Sequence, residues 1–251
     1  MTICLAIKCE KKRFPCVLFG ADTQESSMLL KSSTTKLRLI EGKEPAQGKK
    51  WVMAVASSGD AAVINEAIDE ISYFMYENIG AGEEKPSMAL LTNRAQIGDI
   101  AYATYKKYKE RGIENAEFEL LFVAADEFST ILRITCEGKN EVLEKFGIIG
   151  SGRITGGELL LREFLKADIT QTEAARLAAL VISIVGHVDM FVGGEPDMFI
   201  CRNRKVWVYK EDTYREILKE SESRWALMKN VWMKMEEDDS FEKRLRGLLS
   251  R

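Results

Sequence analysis

A threonine at position 2, directly after Met1, is the residue whose place in the chain first suggests chemistry. An initiator methionine is readily removed when the second residue is small, and threonine is small enough. Removal would leave Thr2 with a free α-amino group, of pKa about 8, beside its own hydroxyl. One residue then carries both a nucleophile and a general base, which is the threonine–amine form of nucleophile activation.

The elements that would position Thr2 are predicted from the spacing of apolar residues. Strands are expected near the start of the chain, where residues 2–8 and 16–21 form a hairpin and residues 36–40 alternate polar and apolar side chains. The apolar period then becomes helical. Further predicted elements are a strand at 51–56, helices at 59–79, 87–111, 159–165 and 171–185, strands between 118 and 150, and a hairpin over 196–209. Such segregated blocks favour an α+β fold.

Composition and charge exclude several classes of function. The 251 residues are 46% hydrophobic and 30% charged, which is a globular composition, and the net charge of −3 disfavours nucleic acid as a partner. No apolar run reaches the roughly 20 residues of a membrane helix, and the start of the chain has no signal-like segment. The five cysteines form no C-x-x-C pair and are predicted to be buried thiols of a cytoplasmic protein: Cys4, Cys9, Cys16, Cys136 and Cys201.

Several short motifs, in one order along residues 2–210, resemble the proteasome β-subunit family of N-terminal nucleophile hydrolases and its bacterial relatives. Each motif alone is weak, but each falls at a predicted strand or helix end. They are Thr2 at a strand start, Gly20-Ala21-Asp22-Thr23, Lys36-Leu37, Ala56-Ser57-Ser58-Gly59-Asp60-Ala61-Ala62, Gly150-Ser151-Gly152, and Asp189 followed by Gly193-Gly194.

The resemblance implies roles for individual residues. Lys36 matches the family's active-site lysine, which would lower the pKa of the Thr2 amine, and Asp22 matches the carboxylate that pairs with it. Gly59 would donate its backbone N–H to an oxyanion, helped by the dipole of the following helix. Ser57 and Ser58 lie in the same turn and would line the substrate pocket.

Two further residues, Ser151 and Asp189, match the groups that hydrogen-bond around the threonine amine in that family. The family often has a serine three residues after the aspartate, where this chain has Val192. The substitution removes one hydrogen bond and leaves the nucleophile, the lysine and its carboxylate in place.

The fold implied by the resemblance is an α+β, four-layer α-β-β-α sandwich over residues 1–212, with a helical extension over 213–251. The implied function is threonine-type hydrolysis of peptide bonds through an acyl-Thr2 intermediate. The partners would be a peptide or protein substrate and further copies of the chain in a dimer or ring. No metal or organic cofactor is implied.

Alternative interpretations remain open at this point. A non-catalytic assembly subunit would keep the fold, and a transpeptidase or ligase would resolve the same acyl intermediate with an amine instead of water. The spacing Gly150-x-Gly152-x-x-x-Gly156 is one residue too long for a dinucleotide-binding loop. The single histidine, His187, ends an apolar helix and is interpreted as structural.

Overall fold

A computed structural model describes residues 2–9, 15–26, 31–33, 36–43, 50–79 and 85–237, together with Lys243 and Gly247. The predicted turn at 11–15 and the loop from 80 lie largely outside these residues. The strands are β1 (Cys4–Cys9), β2 (Cys16–Ala21), β3 (Gln24–Ser26), β4 (Lys31–Ser33), β5 (Leu37–Lys43), β6 (Lys50–Gly59), β7 (Phe118–Ala125), β8 (Ser129–Thr135), β9 (Asn140–Leu143), β10 (Phe146–Ile149), β11 (Asp197–Arg202) and β12 (Lys205–Val208). The helices are α1 (Ala61–Ile79), α2 (Pro86–Thr92), α3 (Arg94–Glu110), α4 (Glu158–Phe164), α5 (Gln171–Val188) and α6 (Glu211–Glu237).

Two five-stranded antiparallel sheets form the centre of the fold. Their strand orders are β10-β1-β2-β11-β12 and β5-β6-β7-β8-β9. Alternate residues of a strand face opposite sides, so each sheet has one face toward its helices and one face toward the other sheet. In β1, Leu5 and Ile7 join the cluster under α4 and α5, whereas Cys4 and Ala6 join the cluster between the sheets. In β7, Phe122 packs under α1 to α3.

The expected four-layer α-β-β-α sandwich is therefore confirmed. Three apolar clusters separate its four layers: one beneath α1–α3, one between the sheets, and one beneath α4–α6. The five cysteines are buried free thiols, as the apolar surroundings in the sequence indicated.

One helix differs from its prediction. The expected single helix over 87–111 is divided at Asn93, whose backbone leaves helical geometry at φ −95° and ψ 10°. The Asn93 side-chain amide donates to the carbonyl of Ala89. A local side-chain bond of this kind competes with continuation of the helix.

The C-terminal helix α6 packs against α5 along its first half only. Ile217 belongs to the apolar cluster beneath α5, and the Ser221 hydroxyl donates to the carbonyl of Arg176. Its second half exposes large apolar side chains, among them Trp232 at 65% exposure. The predicted boundary at residues 212 and 213 stays a prediction. Within the described residues, every helix is too short or too polar to cross a bilayer.

Candidate active site

Thr2 lies two residues before β1, at the end of the β1–β2 hairpin, and its side chain is buried. Only 3% of the residue is exposed, and its hydroxyl donates to Oδ1 of Asp22. Its carbonyl accepts from the backbone N–H of Gly152 at 3.1 Å. Since Met1 precedes it in the sequence, the nitrogen of Thr2 is a peptide nitrogen in this chain. The hydroxyl is thus held in place by a carboxylate before any amine is released.

Asp22 follows β2 and is fully buried. Strand pairing places it beside Thr2, because Cys4 faces Ala21 and the N–H of Asp22 donates to the carbonyl of Ile3 at 3.0 Å. Its Oδ1 accepts from the N–H of Ile3 at 2.9 Å, and its Oδ2 accepts from the N–H of Gly193 at 3.2 Å. Such donors offset part of the cost of burying a carboxylate, and a neighbouring cation offsets more.

Lys36 supplies that cation. It lies directly before β5, with its side chain 10% exposed, and Nζ donates to Asp22 Oδ1 at 2.9 Å and to the carbonyl of Gln24 at 2.6 Å. The Thr2 hydroxyl and the Lys36 ammonium therefore bond to the same carboxylate oxygen. The three residues expected to act together are brought into contact from two different sheets.

A thiol that the sequence interpretation gave no role lies behind this group. Cys4 Sγ is 4.0 Å from Thr2 Oγ1 and donates to the carbonyl of Ser57 at 3.6 Å. Burial, reinforced by the charge of Asp22, raises the pKa of the Cys4 thiol to about 12. The thiol stays protonated and does not compete as a nucleophile. Its position two residues after Thr2 in the predicted strand 2–8 was the available signal, since such residues share a face.

Ser151 and Asp189 form a second cluster. Ser151 Oγ donates to Asp189 Oδ2 at 2.9 Å, and the N–H of Phe191 donates to Oδ1 at 3.0 Å. Thr155, which sequence interpretation missed, donates to the same Oδ2 at 3.3 Å. It lies four residues after Ser151 in a π-helical turn (Arg153–Gly157), so helical spacing could have indicated it. Among the residues described, no cation pairs with Asp189.

The turn from Gly150 to Gly152 joins the two clusters. Gly150 has φ +89°, and a Cβ on it would lie 2.1 Å from the carbonyl oxygen of Thr2. Its N–H donates to Oε2 of Glu119 at 3.2 Å, across to β7. Only glycine fits this approach. Because Gly150 and Gly152 both contact Thr2, Ser151 is held next to the start of β1.

Gly59 lies at the end of β6, opposite Phe118, and not in the first turn of a helix. The strand is longer than the predicted 51–56 segment, and α1 begins at Ala61. The Asp60 carboxylate accepts from the N–H groups of Ala62 and Val63, which are groups that a helix start would offer to an anion. The role of Gly59 as an oxyanion donor stays a prediction, and the N–H proposed as the donor belongs to a strand residue and not to the first turn of α1.

Of the two predicted pocket residues, Ser58 lines a cavity and Ser57 does not. Ser58 and Gly59 line a cavity of about 620 Å³, and Gly150 and Ser151 form another part of its wall. Ser57 is absent from this lining, but its carbonyl holds the Cys4 thiol.

The side chains of two remaining residues make no polar contact with either cluster. His187 is exposed and its Nδ1 is 2.7 Å from the carbonyl of Ser183, one turn earlier in α5. Val192 is 3% exposed and belongs to the apolar cluster beneath α5. In the part of the chain described, no group of three or more metal-ligating side chains is placed to hold a metal ion.

Comparison with known proteins shows the fold. No family model and no curated protein sequence matches the chain. Among solved structures, an Anbu (Gly-1) mutant from Hyphomicrobium sp. strain MC1 is 17% identical, with a TM-score of 0.67 over 92% of this chain and 97% of that one. Anbu (ancestral beta-subunit) from Yersinia bercovieri is 15% identical, with a TM-score of 0.67 over 90% and 96%.

A further structure of Anbu from Hyphomicrobium sp. strain MC1 is 18% identical, with a TM-score of 0.64 over 91% and 97%. At these identities the similarity establishes a proteasome-like fold. It assigns no activity to this chain.

Proposed function

We propose that the chain is an N-terminal threonine hydrolase that cleaves peptide bonds after Met1 is removed. One observation carries the proposal: the Thr2 hydroxyl and the Lys36 ammonium bond to the same oxygen of buried Asp22. A nucleophile and a cation held by one carboxylate, together with the amine that Met1 removal would free, are what this reaction requires. The proteasome-like fold of the structural neighbours supports the same reaction class.

The proposed reaction begins when the freed Thr2 amine accepts the hydroxyl proton. Oγ1 attacks the substrate carbonyl carbon, and the negative charge moves to the carbonyl oxygen, for which Gly59 N–H is the proposed donor. The protonated Thr2 amine then gives its proton to the departing amine of the substrate, so that the C–N bond breaks and an ester to Thr2 remains. Water attacks the ester while the Thr2 amine accepts one of its protons, and the amine then passes this proton to Oγ1, which leaves as a hydroxyl and releases the peptide acid.

Lys36 and Asp22 act on this cycle through charge. An ammonium beside the reaction centre favours negative charge on Oγ1 and disfavours a second cation on the Thr2 amine. Asp22 fixes Lys36 in this position and compensates its charge in the buried site.

The test combines intact mass with covalent labelling. We expect the purified protein to lack the mass of Met1 and to gain the mass of one epoxyketone or β-lactone warhead. Thr2→Ala should lose the label and all peptide turnover, whereas Thr2→Ser should retain part of both. A native protein that keeps Met1, or a Thr2→Ala variant that hydrolyses peptides like the wild type, contradicts the proposal.

A non-catalytic assembly subunit is the second candidate, and the exposed half of α6 favours it. Leu227, Trp232 and Met233 are each more than half exposed, and contact between copies of the chain would bury them. This candidate predicts oligomers by analytical ultracentrifugation and no effect of Thr2→Ala in any assay. Replacing Trp232 with Glu should then lower the oligomer size without changing the fold.

A further inference from the structure

We propose that the cavity beside Thr2 binds a carboxylate of the substrate, held by Arg153 and the hydroxyl of Thr135. The inference rests on the proposed peptidase function and names the chemistry that its substrates would carry. In a peptide, the carboxylate belongs either to an aspartate or glutamate side chain near the cleaved bond or to the chain's own C-terminus.

The cavity lies next to the proposed nucleophile. Gly150 forms part of its wall and also lies against the carbonyl of Thr2. Ser58, Gly59 and Ser151 line the same space. A peptide whose scissile carbonyl reaches the Thr2 hydroxyl would therefore extend past this cavity within a few residues, since one residue spans roughly 3.5 Å.

Among the charged residues described along this cavity, Arg153 alone has no ion pair. Each of the other six lining charges has a partner within the chain, although a single arginine serves two of the carboxylates. Arg133 pairs with Glu119 and Glu141, Lys139 pairs with Glu137, and Lys109, from α3, pairs with Glu117. A ligand carboxylate would therefore gain one unpaired cation without displacing an established pair. Arginine also offers two parallel donors that match the geometry of a carboxylate.

An unsatisfied hydroxyl in the same lining supports the inference independently. Thr135 Oγ1 is buried and has no hydrogen-bond partner among the residues that the structure describes. Buried polar atoms are nearly always bonded, so an orphaned hydroxyl in a cavity wall indicates that a ligand or water completes it. A hydroxyl donates readily to a carboxylate oxygen.

Equilibrium binding to the Thr2→Ala protein tests the site without turnover. Four fluorescent peptides of equal length carry, respectively, an internal glutamate with an amidated C-terminus, a neutral sequence with a free C-terminus, the same sequence amidated, and an internal lysine with an amidated C-terminus. We expect one of the two anionic peptides to bind about tenfold tighter than the neutral amidated peptide, and this difference identifies the source of the carboxylate. Raising the salt concentration should reduce the difference.

Variants assign the effect to Arg153. Arg153→Gln should abolish the preference, Arg153→Glu should reverse it toward the lysine peptide, and Thr135→Val should reduce it by a smaller factor. Lys139→Gln is the matched control, because Lys139 is a cation of the same cavity that is already paired with Glu137. Thermal melting of each variant checks that the fold is kept.

The outcomes separate this inference from the proposed function. Equal affinity for all four peptides, or an equal loss in Lys139→Gln and Arg153→Gln, overturns the carboxylate site. If the wild type hydrolyses peptides without preferring the anionic ones, the function stands and the inference fails. If Arg153-dependent binding is found but nothing is hydrolysed, the site stands and the hydrolase fails.

Discussion

Asp22 and Asp189 are both almost completely buried near Thr2, but they are compensated in different ways. Asp22 bonds to the Lys36 ammonium, to two backbone N–H groups and to the Thr2 hydroxyl. Asp189 bonds to two hydroxyls and one backbone N–H. Within the described residues, only the first carboxylate has a cation beside it.

The difference indicates that the two carboxylates have different roles. A carboxylate whose charge is already compensated by a lysine attracts a second cation weakly. A carboxylate bonded only to neutral donors attracts a cation more strongly. The Thr2 amine, once freed from Met1, becomes a cation when protonated. We therefore expect Asp22 to organise Lys36 and the hydroxyl, and Asp189 to attract and orient the amine.

Removing the cation from Asp22 is the change with the largest expected effect. Lys36→Met leaves a fully buried carboxylate without its ion pair, which costs about 3–5 kcal/mol of unfolding free energy. Turnover should fall by at least about 10³-fold, because the charge that stabilises Oγ1 is lost as well. Urea unfolding and peptide hydrolysis measure the two effects.

Two variants separate charge from packing at this position. Lys36→Arg keeps the charge and should lose less stability. Asp22→Asn combined with Lys36→Met removes both charges and should recover part of the loss. A Lys36→Met protein as stable as the wild type would show that Asp22 does not depend on the lysine.

The turn between the two carboxylates is the next most sensitive point. Gly150→Ala requires an alanine at φ +89° and a Cβ 2.1 Å from the Thr2 carbonyl oxygen, so Thr2 must move. We expect a loss of about 2–5 kcal/mol in unfolding free energy and of most of the activity. Gly112→Ala is the control, because Gly112 has φ +82° but open space around it, and it should cost only about 1–2 kcal/mol. Equal effects of the two variants would show that the loss comes from the positive φ alone and not from displacement of Thr2.

Some of this arrangement follows from sequence pattern, and some does not. The hairpin of residues 2–8 and 16–21 could be predicted from apolar runs around a turn, and strand pairing then places Thr2 and Asp22 at one end. The bond from Gly150 to Glu119 could not be predicted, because it depends on how two sheets stack. The end of β6 at Gly59 was missed because its last residues, Ser57 and Ser58, are typical of a turn.

Asp189→Asn tests the other carboxylate through pH. The amide keeps the size of the side chain, and its oxygen can still accept from the N–H of Phe191 while the Ser151 and Thr155 hydroxyls turn to accept from its NH2 group, so we expect a loss of about 1 kcal/mol of stability. Activity depends on the neutral amine and rises with pH through the amine pKa. Removing a nearby negative charge lowers that pKa, so the acid limb of the rate profile should move to lower pH while the maximal rate falls.

Asp99→Asn is the matched control for the pH profile. It makes the same change in net charge on the exposed surface of α3, in the helical layer over the other sheet. The profile of this variant should coincide with that of the wild type. A shift of equal size in both variants would assign the effect to net charge and remove Asp189 from the proposed orientation of the amine.

Removal of the Thr155 hydroxyl should have the smallest effect. It also tests the consequence of Val192, which stands where the family often has a serine. Thr155→Val removes one donor to Asp189 at an exposed position and should cost about 1 kcal/mol or less, with a several-fold loss of rate. Thr155→Ser keeps the hydroxyl and should behave like the wild type. Val192→Ser should not rescue Thr155→Val, since residue 192 packs in the apolar cluster beneath α5. There a new hydroxyl would cost about 1–3 kcal/mol, and a rescue would instead show that it reaches Asp189.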